Sequence, residues 1–379
     1  MKFEQNQFTA ANGWMTPLGR NLGKTAQLVL LFGATDLLRE KSTFDQIKGG
    51  YPNAHVMGCS TAGEIRETQV FDETLVLTAV EFKSSRIQGA NVRIADVKSG
   101  LEAGQKLAAA LPKEDLVHVF VLSDGLLING SELVEGMTQK LPPGVSVTGG
   151  LSGDGERFKE TLVLLDGPAE SGLIAAIGFY GKGLRVGYGS VGGWDPFGPE
   201  RVITRSKGNV LYELDRKSAL ELYKKYLGDH AKGLPSTGLL FPLSLRTSDT
   251  ERGVVRTILS VNEQDQTMTF AGDVPTGSLV RLMKANFDRL IDGSSEAARI
   301  SCGAQGVAPP AWAILISCVG RKLVLQQRVE EEVEGVREVL GGATLLSGFY
   351  SYGEISPFNP DAKCELHNQT MTITTFWEN

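Results

Sequence analysis

The chain has 379 residues, of which 41% are hydrophobic and 22% are charged. This length and composition are typical of a globular protein with about two domains, and they exclude extensive disorder. The net charge of −6 comes from interspersed acidic and basic residues. Because the chain has no basic block, we expect no nucleic-acid partner.

Cysteine usage and apolar runs indicate the compartment. The four cysteines are scattered and form no CxxC pair, which predicts reduced thiols rather than a zinc site or a disulfide framework. The opening residues, MKFEQNQFTAANGWM, lack the apolar stretch of a secretion signal. Apolar runs such as Leu28–Phe32 are too short to span a bilayer. We expect a soluble, cytoplasmic protein with no membrane partner.

The first half contains two similar phrases, in which a strand leads through a helix to a second strand that ends in glycines. The first runs from QLVLLFG through a helix over Asp36–Ile47 to HVMGCSTAGEI. The second runs from VHVFVLSDG through a helix over Ser131–Leu141 to VSVTGGLSGDG. Further strand-like runs follow each phrase. The repetition predicts an internally duplicated β-α-β-β-β unit.

The segment Gly192–Pro199, GGWDPFGP, predicts a linker because glycines and prolines interrupt regular structure. It divides the chain into two predicted domains, residues 1–195 and 196–379.

The second half begins with a different pattern. Asp215 is expected to cap a helix that runs to about Leu227, and Ser278 to begin another that ends near Gly293. Strands are predicted between these helices, around Val254–Val261 and Thr267–Ala271.

A third phrase then runs from WAILISC through a helix over Arg328–Leu340 to TLLSGFYSYGEI. Together the elements predict a mixed α/β (α+β) fold of two mixed-sheet sandwich domains, the first internally duplicated.

Short matches to catalytic motifs fail on their context. GRNLGKT is one residue short of a phosphate-binding loop, and it precedes a strand instead of following one. The sequence has no GxSxG, HExxH or CxxCH motif. One enzymatic alternative stays open, in which Cys59 or Ser60 acts as a nucleophile in a glycine-rich turn without an identified base.

The most informative pattern is G-x4-G-E-I, which occurs as GCSTAGEI and as GFYSYGEI at equivalent strand ends. Glycines at a strand end let the backbone approach a ligand or another strand closely. Hydroxyl groups and carboxylates follow, and these groups bind polar ligands. The candidate ligand-binding residues in these turns are Gly58, Cys59, Ser60, Thr61, Gly63, Glu64, Tyr350, Ser351, Tyr352 and Glu354.

Two interpretations of these turns are open. In one, each turn only packs, and its glutamate satisfies its own loop. In the other, the two turns converge on one pocket, with His367 and Asn368 nearby.

Longer segments, in order along nearly the whole chain, resemble the FIST family, which combines an N-terminal and a C-terminal FIST domain. They are GCSTAGEI, GGLSGDGERF, VITRSKGNVLYELDRKSALELYKKYLG, GDVPTGSLVRLM, SCVGRK, GFYSYGEISP and CELHNQTMTITT. The resemblance implies a sensory, ligand-binding protein of bacterial signal transduction rather than an enzyme, with amino acids as candidate ligands. For some stand-alone members it implies a haem-based nitric-oxide sensor that regulates a histidine kinase.

Haem binding requires an axial ligand in an apolar slot. His367, in CELHNQTM, is the best candidate among the four histidines. His118 is expected to be a satisfied core residue, His55 to reach the rim of the pocket, and His230 to lie in an exposed loop. The alternative ligand is an amino acid or another small polar metabolite, to which His367 would donate a hydrogen bond.

Overall fold

The structure is a computed structural model that describes residues 1–246, 253–303, 308–358 and 362–379. Its α-helices are α1 (Thr35–Arg39), α2 (Lys41–Gly50), α3 (Gly100–Ala110), α4 (Gly130–Thr138), α5 (Ala219–Leu227), α6 (Phe287–Cys302), α7 (Val319–Leu325) and α8 (Val329–Leu340). Short 3₁₀ helices lie at Ile94–Asp96, Gly228–Gly233, Ser236–Leu240 and Gln326–Arg328.

The strands of the first half are β1 (Lys2–Thr9), β2 (Gly13–Trp14), β3 (Leu28–Gly33), β4 (His55–Ser60), β5 (Glu64–Arg66), β6 (Gln69–Phe71), β7 (Thr74–Glu81), β8 (Arg86–Arg93), β9 (Leu116–Ser123), β10 (Ser146–Leu151), β11 (Val163–Leu165), β12 (Leu173–Tyr180) and β13 (Leu184–Val191). Those that follow are β14 (Asp195–Lys207), β15 (Val210–Leu214), β16 (Lys217–Ser218), β17 (Leu243–Arg246), β18 (Val254–Arg256), β19 (Ile258–Asn262), β20 (Thr267–Phe270), β21 (Leu279–Lys284), β22 (Trp312–Cys318), β23 (Leu345–Ser351), β24 (Gly353–Pro357), β25 (Cys364–His367) and β26 (Met371–Glu378).

Three six-stranded sheets share one plan, and each is built around two parallel strands that are connected through helices. The parallel pairs are β3 with β4, β9 with β10, and β22 with β23. Beside each pair lie two antiparallel strands, which are β7 and β1, β12 and β8, and β26 and β13. The three sequence phrases are therefore three copies of one unit. The predicted mixed α/β class and the duplication in the first half are confirmed. The predicted β-α-β-β-β strand order is wrong, because β8 and β13, which follow the first two units in the chain, pair in the sheets of the second and third units.

Each of the three sheets is completed by strands of another unit. The sheet of β3 receives β11 from the second unit, the sheet of β9 receives β24 and β25 from the third, and the sheet of β22 receives β5 and β6 from the first. The three units therefore form a closed cycle, and removing one would expose unpaired strand edges. These sheets combine strands from both sides of residue 195.

A fourth, antiparallel sheet is formed by β14 to β21, which lie within the third unit, between its strands β13 and β22. Its order is β18-β17-β21-β14-β15-β20-β19, with β16 beside β15. It packs with α5 around its own hydrophobic cluster, which includes Ile203, Leu220, Tyr223 and Phe270. The strands predicted near residues 254–261 and 267–271 lie in this sheet as β18, β19 and β20.

The predicted start of the helix at Asp215 is wrong. Helix α5 begins at Ala219, and the hydroxyl of Ser218 caps it by accepting the N–H of Glu221 at 3.2 Å. The carboxylate of Asp215 is instead paired with Arg201 at 2.7 Å, so it is not available as a helix cap.

The predicted helix from Ser278 to Gly293 is also wrong. Residues Leu279–Lys284 form β21, which pairs with β14 on one side and β17 on the other. Helix α6 begins at Phe287, with Asn286 as its cap, and contains Gly293 in its interior. The apolar residues of this segment fit both the helical and the strand periodicity. The segment forms a strand because it pairs with a strand on each side.

The second part of the predicted linker at Gly192–Pro199, from Asp195 onward, is strand in the structure. Strand β14 already begins at Asp195, and Pro196 lies opposite Met283 in the antiparallel ladder. The ladder shifts its register between Phe197 and Arg201, and such an irregularity is where a strand accommodates proline.

Sequence reasoning missed β1, α3 and α7. Strand β1 is polar in sequence, yet Glu4 in it is buried, and its carboxylate accepts the backbone N–H groups of Arg20, Asn21 and Leu22. The other helix predictions agree within a few residues, except that the segment from Asp36 to Ile47 forms two helices instead of one.

The first glycine of each strand-end motif has a structural role. Gly58, Gly149 and Gly348 lie opposite Leu31, Val121 and Leu315 in the three parallel pairs. A Cβ atom at any of the three would overlap the carbonyl oxygen of that partner. Close approach within the sheet explains these glycines without a ligand.

We therefore expect Gly348→Ala to lower the free energy of unfolding by roughly 2 kcal/mol or more, because the added methyl group must push two strands apart. Urea unfolding followed by circular dichroism would measure the change. Gly342→Ala is the matched control, since a Cβ there meets no atom within 4 Å. Equal stability of the two variants would contradict the explanation.

Candidate functional site

The glycine–glutamate turns converge at the centre of the three-unit cycle, together with a third turn that follows β10. Three backbone hydrogen bonds join them in a ring. Ala62 donates to the carbonyl of Tyr350 at 2.8 Å, and Gly153 donates to that of Ser60 at 2.9 Å. Tyr352 donates to the carbonyl of Leu151 at 3.1 Å and closes the ring. We call this arrangement the turn ring.

The two glutamates of the repeated motif make the same local bonds. Glu64 accepts the hydroxyl of Thr61 at 2.5 Å, and it accepts both the hydroxyl (2.7 Å) and the N–H (3.3 Å) of Thr74. Each glutamate therefore ties its turn to the start of the next strand of its unit.

The second glutamate repeats this pattern. Glu354 accepts the hydroxyl of Ser351 at 2.6 Å, and it accepts the hydroxyl (2.9 Å) and the N–H (3.1 Å) of Thr370. Both carboxyl groups are buried, and burial raises the pKa of Glu64 to about 7 and that of Glu354 to about 8.

The second unit has no such glutamate, and two aspartates hold its turn region in place. Asp124 at the end of β9 accepts the N–H of Gly172, just before β12, at 2.9 Å. Asp154 instead holds the loop after the turn by accepting the N–H groups of Phe158, Lys159 and Glu160 at 2.9 to 3.0 Å.

A cleft of about 580 Å³ opens beside the turn ring, and we call it the turn cleft. Segments of all three units line it. The first unit contributes Ala34, Thr61, Ala62, Gly63, Glu64, Asp72 and Glu73; the second contributes Asp154, Gly155, Glu156 and Arg157; the third contributes Val319, Lys322, Leu323 and Gln326. The lining combines apolar surface with charged groups of both signs.

Lys322 is the cation closest to the first turn. Its ammonium group donates to the carbonyl of Ala62 at 2.9 Å and forms an ion pair with the exposed carboxylate of Asp72. Gly63 makes room for it, because a Cβ at this position would lie 2.5 Å from Nζ of Lys322.

The neighbouring arginine fixes the helix that carries Lys322. Arg321 is fully buried and donates through Nε and Nη2 to one carboxylate oxygen of Glu332 at 2.9 and 2.8 Å. The other oxygen of Glu332 accepts the hydroxyls of Ser317 (2.9 Å) and Tyr350 (2.6 Å). This buried network joins α7 and α8 to the strand that ends in the turn ring.

The opposite wall carries the second cation. The guanidinium of Arg157 is half exposed, donates to the hydroxyl of Thr35 at 3.2 Å and lies 3.9 Å from the carboxylate of Asp154. The hydroxyl of Tyr352 donates to that same carboxylate, and its ring stacks on Phe158 at 4.6 Å.

The structure brings only part of the predicted site to this cleft. Thr61, Gly63 and Glu64 line it. The other predicted residues are buried behind it, in the sheets or in the turn ring, and do not line it: Gly58, Cys59, Ser60, Tyr350, Ser351, Tyr352, Glu354, His367 and Asn368. The two motifs do converge, but the second acts as support for the first.

Neither proposed nucleophile has the surroundings that catalysis requires. Cys59 is fully buried, and burial raises the pKa of its thiol well above the ordinary range. The hydroxyl oxygen of Ser60 accepts the N–H of Leu162 at 2.8 Å. Within the described ranges, no hydrogen bond joins either side chain to a histidine, lysine or carboxylate.

Nε2 of His367 is not open to a haem iron in this conformation. The residue is 1% exposed, Nε2 lies 2.7 Å from the carbonyl of Ser356, to which it donates, and the ring of Phe358 packs against it at 4.1 Å. An iron atom bound at Nε2 would have to displace the bond to Ser356. Its neighbour Asn368 donates to the carbonyl of Tyr352 at 3.0 Å and so braces the turn ring.

The other histidines are explained without a ligand. His118 is buried between Ser146 and Thr148, and burial lowers its pKa to about 3, as a satisfied neutral core histidine requires. His230 is exposed, as expected. The prediction for His55 is wrong, because His55 begins β4 at the end remote from the turn and pairs there with Asp166 at 2.6 Å.

Sequence reasoning missed Asp154, Arg157 and Lys322. The first two lie in GGLSGDGERF and the third in SCVGRK. The turn that precedes Asp154 and Arg157 is the second unit's equivalent of the glycine–glutamate turns, although it lacks their glutamate, and Lys322 reaches the first turn from α7 of the third unit.

Among the described residues, no three or more His, Cys, Asp or Glu side chains are grouped so that they could hold a metal ion. No described helix is both long enough and apolar enough to cross a bilayer.

Comparisons with known proteins identify two domain families in the chain. The model of the FIST N domain matches residues 27–217, half of the chain, and the model of the FIST C domain matches residues 219–357. An uncharacterized protein of Methanocaldococcus jannaschii is 23% identical over 293 residues, which span 72% of this chain and 56% of that protein. A crystal structure of a cyanuric acid hydrolase from A. caulinodans aligns over 100% of this chain and 99% of its own, with 7% identity and a TM-score of 0.36.

The raised pKa of Glu64 predicts a pH-dependent stability. Between about pH 4.5 and 7 the unfolded state releases this proton while the folded state retains it, so the free energy of unfolding falls, by up to about 3 kcal/mol. Above about pH 7 both states are ionised, and the dependence on Glu64 ends.

We expect Glu64→Gln to flatten this part of the profile, measured by urea unfolding at half-unit pH steps. Glu338→Gln, an exposed change on α8, is the control. If both variants retained the wild-type slope, the buried proton would not belong to Glu64.

Proposed function

Because this chain belongs to the FIST family, we propose that it is a sensor that binds a small zwitterionic metabolite, such as an amino acid, in the turn cleft. FIST domains are sensory domains of signal transduction. The cleft volume of about 580 Å³ suits a ligand of this size.

The proposal rests on one observation, which is that both cations and carboxylates line the turn cleft. Lys322 and Arg157 supply cations for a carboxylate, and Asp72, Glu73 and Glu156 supply carboxylates for an ammonium group. A zwitterion matches both sets at once, whereas a ligand of one sign leaves one set unmatched.

The existing ion pairs are ones that a ligand can replace. The carboxylate of Asp72 is 66% exposed and the guanidinium of Arg157 is 49% exposed. Their partners Lys322 and Asp154 are 17% and 2% exposed, so in each pair it is the more exposed member that can move aside or turn toward a ligand.

Ligand binding would act on the whole cycle, because the cleft is lined by all three units. A bound zwitterion bridges the first turn to α7 through Lys322 and to the loop of Arg157. We propose that the ligand changes the arrangement of the units, and that a separate signalling protein, such as a histidine kinase, binds differently to the two arrangements.

We expect at least one α-amino acid to raise the melting temperature in a thermal-shift screen of the common amino acids at 1 to 10 mM, since a ligand that binds only the folded state stabilises it. The matching amine without a carboxylate, and the matching acid without an amino group, should give smaller shifts. Isothermal titration calorimetry would then give the dissociation constant.

Lys322→Met should weaken binding of that amino acid roughly tenfold or more, because a charge-assisted hydrogen bond is lost. Lys182→Met, an exposed change outside the cleft, is the matched control. Equal affinity in both variants, or no response to any amino acid, would refute the proposal.

Haem-based sensing of nitric oxide, which the resemblance suggested, stays a prediction, and the bond from Nε2 of His367 to the carbonyl of Ser356 disfavours this nitrogen as the iron ligand. We expect that protein expressed with a haem precursor either shows no Soret band or shows a band that is unchanged in the His367→Ala variant. An intense band that disappears in this variant, with the fold retained by circular dichroism, would establish His367 as the iron ligand and replace the amino-acid proposal.

A further inference from the structure

A second cleft, of about 720 Å³, lies where the fourth sheet meets α4 of the second unit and β25 of the third unit, apart from the turn cleft. Helix α4, strand β18 and strand β25 form its walls. We call it the Arg256 cleft after the one buried cation that lines it. Its volume is in the range of small-molecule sites.

The guanidinium of Arg256 donates its hydrogen bonds to backbone carbonyl groups. Its Nε donates to the carbonyl of Asp273 at 3.0 Å, and its Nη1 donates to the carbonyl of Leu366 at 2.8 Å. None of its hydrogen bonds to the described residues uses Nη2, and none is made to a carboxylate. The carboxylates of Glu365 and Asp273 act on its charge only from a longer distance, so an anion that accepts an N–H group of this buried cation would add a charge-assisted hydrogen bond.

One of these two carboxylates, that of Asp273, has hydrogen-bond partners other than Arg256. Asp273 accepts the side-chain amide of Asn129 at 2.6 Å, and its own N–H is bonded to Ser131. Burial lowers the pKa of Arg256 to about 10, so the group is strained but remains charged at neutral pH.

The rest of the lining indicates the body of a ligand. Val134, Leu245, Val254 and Leu366 form apolar walls. The carboxylates of Glu135 and Glu365 also line the cleft, and they disfavour a ligand with several negative charges.

We propose that the Arg256 cleft binds a small organic monoanion, a carboxylate or phosphate group on a compact apolar body. The anion accepts N–H groups of Arg256, and its apolar part packs between α4 and β18. Arginine suits this role because its planar guanidinium matches both head groups. The ligand also bridges the fourth sheet to α4 of the second unit, whereas the bond from Arg256 to Leu366 joins that sheet to β25 of the third unit.

Isothermal titration calorimetry of the full-length protein with benzoate, phenyl phosphate and benzamide tests the proposal. Benzamide has the size of benzoate without its charge. We expect benzoate or phenyl phosphate to bind at least tenfold more tightly than benzamide, and the stronger of the two identifies the head group. Equal binding of benzoate and benzamide, or no binding of either anion at 10 mM, overturns the proposal.

Variants then locate the site. Arg256→Gln removes the charge but retains donors for the carbonyl groups, and it should abolish the preference for the anion, whereas Arg256→Lys should restore part of it. Arg299→Gln, an exposed arginine on α6, is the matched control. Anion binding that is unchanged in Arg256→Gln overturns the assignment.

If Arg256→Gln does not fold, Thr138→Trp keeps the test decisive. Thr138 is an exposed residue of α4 at the edge of the cleft, and an indole there should obstruct entry and lower the affinity for benzoate at least tenfold. Unchanged affinity would place the benzoate elsewhere and overturn the proposal. Because the amino-acid screen depends on Lys322, failure of either proposal leaves the other standing.

Discussion

The turn ring is the constraint on which the rest of the structure depends. Its three backbone hydrogen bonds join each unit to the next, at Ala62, Gly153 and Tyr352. Each bond contributes only about 1 kcal/mol net, but a buried N–H left without a partner costs about 1–3 kcal/mol. Since every unit also completes another unit's sheet, the ring and the exchanged strands can form only together. The charged groups of the turn cleft are therefore held in place by the same bonds that close the fold.

Buried polar groups fix the elements that surround the turn ring. Arg321 and Glu332 form a fully buried ion pair, whose desolvation offsets much of its attraction. The contribution of the pair lies in position, because its hydrogen bonds fix α7 against the strand of Tyr350 and so place Lys322 at the first turn. Glu64 and Glu354 act at shorter range, each joining a turn to the next strand through two hydroxyl or N–H donors of one threonine.

Tyr352 connects the two clefts through direct contacts. Its hydroxyl donates to Asp154 in the turn cleft, and its N–H belongs to the turn ring. Its carbonyl accepts the amide of Asn368, whose oxygen accepts the N–H of Thr257, the residue after Arg256. These hydrogen bonds place a lining residue of the turn cleft and the neighbour of Arg256 on one continuous network that includes the turn ring.

The sequence by itself determined the mixed α/β class, the repeated unit, the strands on either side of each unit's helix and the glycine–glutamate turn at Glu64. These features are local, because periodicity, glycine placement and hydroxyl–carboxylate spacing act over a few neighbouring residues. Only the tertiary structure decided that Leu279–Lys284 is a strand, that three turns rather than two meet, and that Lys322 and Arg157 line the cleft. These outcomes depend on strand exchange between units, and partners so distant in the chain leave no mark on local spacing.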